Sequence, residues 1–195
     1  AGPEPIYHAM AYNTRQGTTL EFGGDDGDAT WQWDGSNWTW LTNIGPSRRH
    51  NLAMAYDSAR DVVVLFGGYD NNPLGDTWEW DGIAWTREST RGPSNRDGHA
   101  MAYDSAREVT VLFGGSVRNN EGGNQTWEWD GRRWSLMSET GPARRTGHAM
   151  VYDEDRNVTV LFGGGNMSGK LSDMWEWDGV EWRQREVEGP QPPRS

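Results

Sequence analysis

A fourfold internal repeat constrains this chain more than any other feature. Gly-Pro pairs stand at 2, 45, 92 and 141, and a fifth stands at 189. After each of the first four comes an Ala-Met segment: His8-Ala9-Met10-Ala11-Tyr12, Ala53-Met54-Ala55-Tyr56-Asp57, His99-Ala100-Met101-Ala102-Tyr103-Asp104 and His148-Ala149-Met150-Val151-Tyr152-Asp153. An apolar run follows and ends in a double glycine, at 23–24, 67–68, 114–115 and 163–164. A Trp-x-Trp-Asp-Gly segment and one more Trp complete the unit, as in Trp127-Glu128-Trp129-Asp130-Gly131 and Trp134. A repeat of roughly 43–49 residues has the length of one four-stranded propeller blade. The units are expected at about 1–44, 45–91, 92–140 and 141–188, with 189–195 opening a fifth.

Local patterning agrees with strands. Met101 and Tyr103 alternate with Ala100 and Ala102, a period of two, which puts large side chains on one face and small ones on the other. Val62-Val63-Val64-Leu65-Phe66 is apolar throughout, as a strand buried on both faces must be. Asp57-Ser58-Ala59-Arg60 and Asp81-Gly82-Ile83-Ala84 carry hairpin-turn chemistry. No segment combines a helical period with caps. An all-β chain of four-stranded antiparallel sheets is therefore expected.

The double glycine after an apolar strand, the Tyr upstream of it and the Trp downstream resemble the marks of bacterial-type kelch repeats, and the resemblance covers the whole chain. It implies a β-propeller of four kelch blades, either half of an eight-bladed ring or part of a larger propeller, because kelch rings usually close with six or seven. A blade with large residues on both faces cannot leave one in water without exposing an apolar patch that drives association. Self-association as a homodimer, or additional blades, is expected, with a closed four-bladed monomer as the alternative. The first unit is more polar: Glu21 stands where the others have Leu65, Leu112 and Leu161, and Thr18-Thr19 replace Val62-Val63. That is the character of a terminal cap.

Composition narrows the function. The formal charge of −11 repels a phosphate backbone, which argues against nucleic acid as a partner. No apolar run is long enough to insert in a membrane. The chain has no Cys, hence no disulfide, thiolate metal site or Cys nucleophile. No phosphate loop, nucleophile elbow or paired-His zinc motif occurs. The expectation is a binding module, not an enzyme, without a cofactor, that recognises a protein or serves as a scaffold. A lectin-like propeller and a propeller enzyme acting on a sugar at the channel mouth are the alternatives. An extracellular setting is favoured over the cytoplasm.

The repeat also sorts residues. A residue type present in every unit serves what every blade needs, and twelve of the thirteen Trp fall at repeated positions. Trp40 does not, and it joins the binding candidates. His8, His99 and His148 share a position that Leu52 fills in the second unit, so binding is expected to survive loss of His99, and no metal is expected there. Asp25-Asp26-Gly27-Asp28 lacks the ligand spacing of a calcium loop and reads as an acidic turn. Arg49, Arg96 and Arg145 precede the innermost strand and are expected near one channel mouth, where kelch proteins commonly hold ligands. The loops after the double glycines differ between units, and variable loops on a rigid scaffold are where recognition sits. They supply Tyr69, Asn71, Asn72, Arg118, Asn119, Asn120, Asn166 and Lys170.

Overall fold

The computed structural model describes residues 2–3, 6–88, 91–117 and 123–186. Each sequence unit becomes one four-stranded antiparallel meander. The first sheet runs His8–Asn13, Thr18–Gly23, Thr30–Trp33 and Trp38–Thr42; the second Ala53–Asp57, Val62–Phe66, Thr77–Trp80 and Trp85–Arg87. The third runs Ala100–Asp104, Val109–Phe113, Thr126–Trp129 and Trp134–Ser138; the fourth Ala149–Asp153, Val158–Phe162, Met174–Trp177 and Trp182–Arg185. The one helical segment among the described residues is a 3-10 turn, Gly24–Asp26. The first strands of successive sheets lie beside one another in chain order, the arrangement of propeller blades.

Alternation along the strands dictates how the sheets pack. Small residues and Val64, Phe66 face the next sheet; Met101, Leu112, Trp129 and Trp134 face back onto them. The same division builds the cores between the first and second sheets and between the third and fourth. The second strands sit in the middle of these layers, and Val64, Leu65, Phe66, Leu112 and Phe113 are wholly buried. No sheet buries a core alone, so stability passes from neighbour to neighbour.

Polar bonds fix the register between sheets. The fourth-strand tryptophans Trp85, Trp134 and Trp182 donate from Nε1 to Thr30, Thr77 and Thr126 of the preceding sheet, at 2.9, 2.8 and 2.7 Å. Each of these rings also stands edge-on to a phenylalanine of the preceding sheet, Phe22, Phe66 or Phe113. Trp129 and Trp177 donate to Glu79 and Glu128 of the preceding sheet, at 2.8 and 2.9 Å. Those carboxylates are held by Arg60 and Arg107, which in turn are pinned by Asp57 and Asp104. Arg60 and Arg107 lie flat against Gly131 and Gly179 of the following sheet, where a Cβ would stand 2.8 Å from the guanidinium. The glycine of the Trp-Asp-Gly segment is therefore a contact surface as well as a turn residue.

Backbone reaches across too. The second glycine of each pair donates to the carbonyl of the next unit's arginine: Gly24 to Arg49, Gly68 to Arg96, Gly115 to Arg145, each at 2.9 Å. A Cβ on Gly67 would lie 2.6 Å from the Arg96 carbonyl oxygen, and Gly67 has φ of 61°. Only glycine meets both the dihedral and the approach.

The arc is open at both ends. Val151 on the outer face of the fourth sheet is 62% exposed, whereas its counterparts Ala55 and Ala102 are buried. Met10 and Tyr12 on the outer face of the first sheet are also exposed. At the open end Met174 replaces the threonine that receives the next tryptophan, and Arg185 bonds Glu176 where a tryptophan would.

Trp129 is buried between two sheets, while Trp40 is half exposed on an outer strand. Trp129→Ala should cost about 3–5 kcal/mol, and Trp40→Ala under about 1 kcal/mol. Urea denaturation of the two variants checks this, and equal midpoints would refute the division between them.

Candidate functional site

An antiparallel meander sends its loops to two opposite ends. The turns between first and second strands and the Trp-Asp-Gly turns gather at one end. The double glycines, the variable loops and the Gly-Pro connections gather at the other. A groove of about 500 Å³ runs along the four first strands and is lined by Met10, Met54, Met101, Met150 and the tyrosines two residues beyond each. Tyr56 donates to Asp61 at 2.8 Å, so part of this lining is committed to the turns below it. Among the described residues, no three His, Asp or Glu side chains converge as a metal site.

At the loop end, four residues form a rim just ahead of the first strands. Tyr7, Asn51, Gly98 and Gly147 all adopt left-handed backbone, with φ of 62°, 53°, 65° and 63°. They are chained by backbone bonds: Asn51 donates to Tyr7, Gly98 to Asn51, and Gly147 to Gly98, at 3.0, 2.8 and 2.9 Å. Gly and Asn enter this region at low cost, whereas a bulky side chain pays roughly 1–2 kcal/mol. Tyr7 pays it with its side chain 63% exposed. Its ring stands edge-on to His50, centroids 6.0 Å apart.

Two cavities flank the rim, at equivalent places in different units. One, of about 430 Å³, lies in the second unit among Arg48, His50, Tyr69, Asp70 and Asn71. The other, of about 330 Å³, lies between the third and fourth units and is bounded by Ser116, Arg144, Thr146, Asn166 and Met167. In each, two short segments are tied by reciprocal backbone bonds: His50 with Tyr69, and Thr146 with Gly165. Tyr69 and Asn71 line the first cavity and Asn166 the second. Asn72 pairs with Asp70 in the small hairpin beside the first cavity. Lys170 closes the equivalent hairpin with Gly165. Arg118, Asn119 and Asn120 lie outside the described residues. Trp40 sits away from the loop-end cavities, across from Trp31 on the outermost strand of the first sheet.

The three expected channel-mouth arginines are placed differently. Arg49, Arg96 and Arg145 are fully buried. Arg49 grips both oxygens of Asp76, at 2.7 and 3.2 Å, and donates to the carbonyls of Gly67 and Ser47. Arg145 does the same with Asp173, Gly163 and Ala143. Arg96 meets Gln125 in place of an aspartate, and burial lowers its pKa to about 10. A guanidinium held on all sides inside its own unit ties the double glycine to the third strand and is not presented to a ligand. Their neighbours Arg48 and Arg144 are exposed at this end, as is Lys170.

Of the repeated histidines, His99 and His148 are also interior. Burial, and then the Arg96 and His148 charges, push His99 down to about 3; burial and then Arg145 push His148 down to about 4. Both rings stack edge-on against the preceding sheet's Phe66 and Phe113.

Tyr7 and His50 were not among the candidates read from the sequence. The signal was present: at the position before the His/Leu site the other units carry Asn51, Gly98 and Gly147, and a tyrosine breaks that series.

These histidines give a pH dependence of definite sign. The unfolded chain protonates near the ordinary pKa of about 6.5 while the folded chain resists, so their contribution to stability is complete above that pH and falls as pH drops towards 4 and 3. At pH 5 each histidine should have removed about 2 kcal/mol. His99→Leu, which installs the residue of the second unit, should flatten that loss by its share. Denaturant midpoints between pH 7 and pH 5 test it, and an unchanged slope in the variant would contradict it.

No protein-family model matches this chain, and no curated protein matches it. Solved structures do. One of them, described as "Structure of YjhT", aligns with a TM-score of 0.79 over 97% of this chain and 68% of its own, at 17% sequence identity. At that identity the likeness speaks for the architecture of repeated β-sheets.

Proposed function

We propose that the chain is a kelch-type propeller arc that acts as a recognition module, with its ligand, a protein or a glycan, taken at the loop end. The observation that carries this reading is a division of labour. Residues common to the units are engaged in holding sheets together: the tryptophans on Thr and Glu, the arginines on Asp, the glycines on carbonyls. Residues peculiar to single units, Tyr7, His50, Tyr69, Asn71 and Asn166, collect around the rim and the two cavities, beside Arg48 and Arg144. A rigid scaffold with individual loops at one end is the layout of a binding protein.

Photoreactive side chains placed at Tyr69 and Asn166, and at Ile83 and Val180 on the opposite end, test the polarity of the surface. Ligand adducts are expected at the first two positions, and adducts confined to Ile83 and Val180 would refute the reading.

The open faces support a second element of the proposal, that the arc continues into further sheets or a second copy. The outer face of the fourth sheet offers Phe162 and Glu176, counterparts of the residues that receive tryptophans elsewhere. The first sheet offers Trp33 and Trp38, 5.5 Å apart like the pairs inside the arc. Light scattering at micromolar concentration should give a mass above the 22.0 kDa of one chain. A monodisperse 22.0 kDa species would reject self-association.

A further inference from the structure

We infer that the cavity beside Tyr69 binds a neutral saccharide, with Tyr7, held in strained backbone against the lining residue His50, at its edge. The inference rests on the recognition-module reading and gives that surface one pocket and one class of ligand.

Three observations converge here. The first is strain. Of the four left-handed rim residues, Tyr7 is the one whose side chain is bulky, and its cost is not repaid by burial or by a hydrogen bond to its hydroxyl among the described residues. Strain kept in this way marks a position where the side chain is needed for something other than stability. Asn51, the other rim residue with a side chain, is engaged by Asp97. Tyr7 is free to face a ligand.

The second is the chemistry around the cavity. Its volume of about 430 Å³ lies in the range of small-molecule sites. Tyr69 in the lining, and Tyr7 set edge-on against the lining residue His50, offer flat apolar faces, which cover the C–H faces of a sugar ring while leaving polar edges to hydroxyls. Asp70 and Asn71 supply acceptors and a donor. His50 adds an imidazole to the lining. Arg48 and Asp70 carry opposite charges at the same cavity, so the site has no net charge to attract an ionic ligand. A polyhydroxylated neutral ring fits this set better than an anion does.

The third is that the site is particular to one unit. Tyr69 corresponds to Ser116 and Gly165, His50 to Asp97 and Thr146, and Tyr7 to Asn51, Gly98 and Gly147. No requirement of the repeat explains aromatic or imidazole groups at these three places.

The experiment screens the whole chain against a panel of neutral and acidic mono- and disaccharides by saturation-transfer NMR, then measures the best neutral binder by calorimetry against Tyr7→Gly, Tyr69→Ala and Asn166→Ala. Tyr7→Gly and Tyr69→Ala should each weaken binding at least tenfold. Tyr7→Gly should melt no earlier than the parent, because glycine relieves the strain. Asn166→Ala, at the equivalent loop of the fourth unit, should bind as the parent does. Loss of binding together with early melting in Tyr7→Gly would mean the tyrosine is structural and would overturn the assignment. So would binding of acidic sugars alone, binding indifferent to both tyrosines, or no sugar bound at all. In that last case adducts at Tyr69 and Asn166 with another ligand would leave the module reading standing while this pocket's ligand fell; adducts at the opposite end would remove both.

Discussion

The structure depends on backbone reaching from one unit into the next. A glycine N–H meets the following unit's arginine carbonyl, and a left-handed residue donates back to the preceding unit's rim. Side-chain packing alone leaves two pleated sheets free to slide, since apolar contact has no direction. Two backbone bonds of opposite sense per joint set the height of each sheet against its neighbour. That fixed height brings the indole nitrogens to their threonines and glutamates. The double glycine and the small rim residues are thus the residues from which the register of the larger ones follows.

The units repeat the device with variations. In the second and fourth units a buried arginine is matched by an aspartate that also receives a tryptophan Nε1. In the third, glutamine replaces the aspartate. In the first, the sequence has Pro5 and Ala29 at the two places, so cation and anion are gone together and no buried charge is stranded. Removing one partner of a buried pair costs far more than removing both. The first unit follows that asymmetry; in the third, Gln125 and the Gly114 carbonyl accept from Arg96.

Much of this was legible in the sequence because the repeat reports on itself. Four copies of an alternating Ala-Met-Ala-Tyr strand and an apolar strand ending in Gly-Gly leave little room for anything but stacked sheets, and the doubly buried Val62–Phe66 strand follows from its lack of polar residues. The arginines were harder. Arg49 reads as a surface cation, and its burial depends on Asp76, far along the chain, brought back by a loop whose path no local pattern states. Tyr7 was hidden for a different reason. Its importance lies in a dihedral angle, and the sequence shows it only when the four rim positions are compared with one another. Sequence pattern speaks for periodic contacts and says least where a single unit departs from its siblings.

The rim has a consequence for how such an arc acquires new specificity. Its four positions share one backbone shape and one hydrogen-bonding role, neither of which consults the side chain. They behave as sockets. Two are blank, and of these Gly147 has open space where a Cβ would stand, whereas Gly98 is crowded by Thr146. An asparagine at 147, which tolerates the left-handed turn, would add a polar group to the mouth without disturbing a joint. A lineage of such chains can rewrite what it displays at this end one residue at a time, while the sheets beneath stay unchanged.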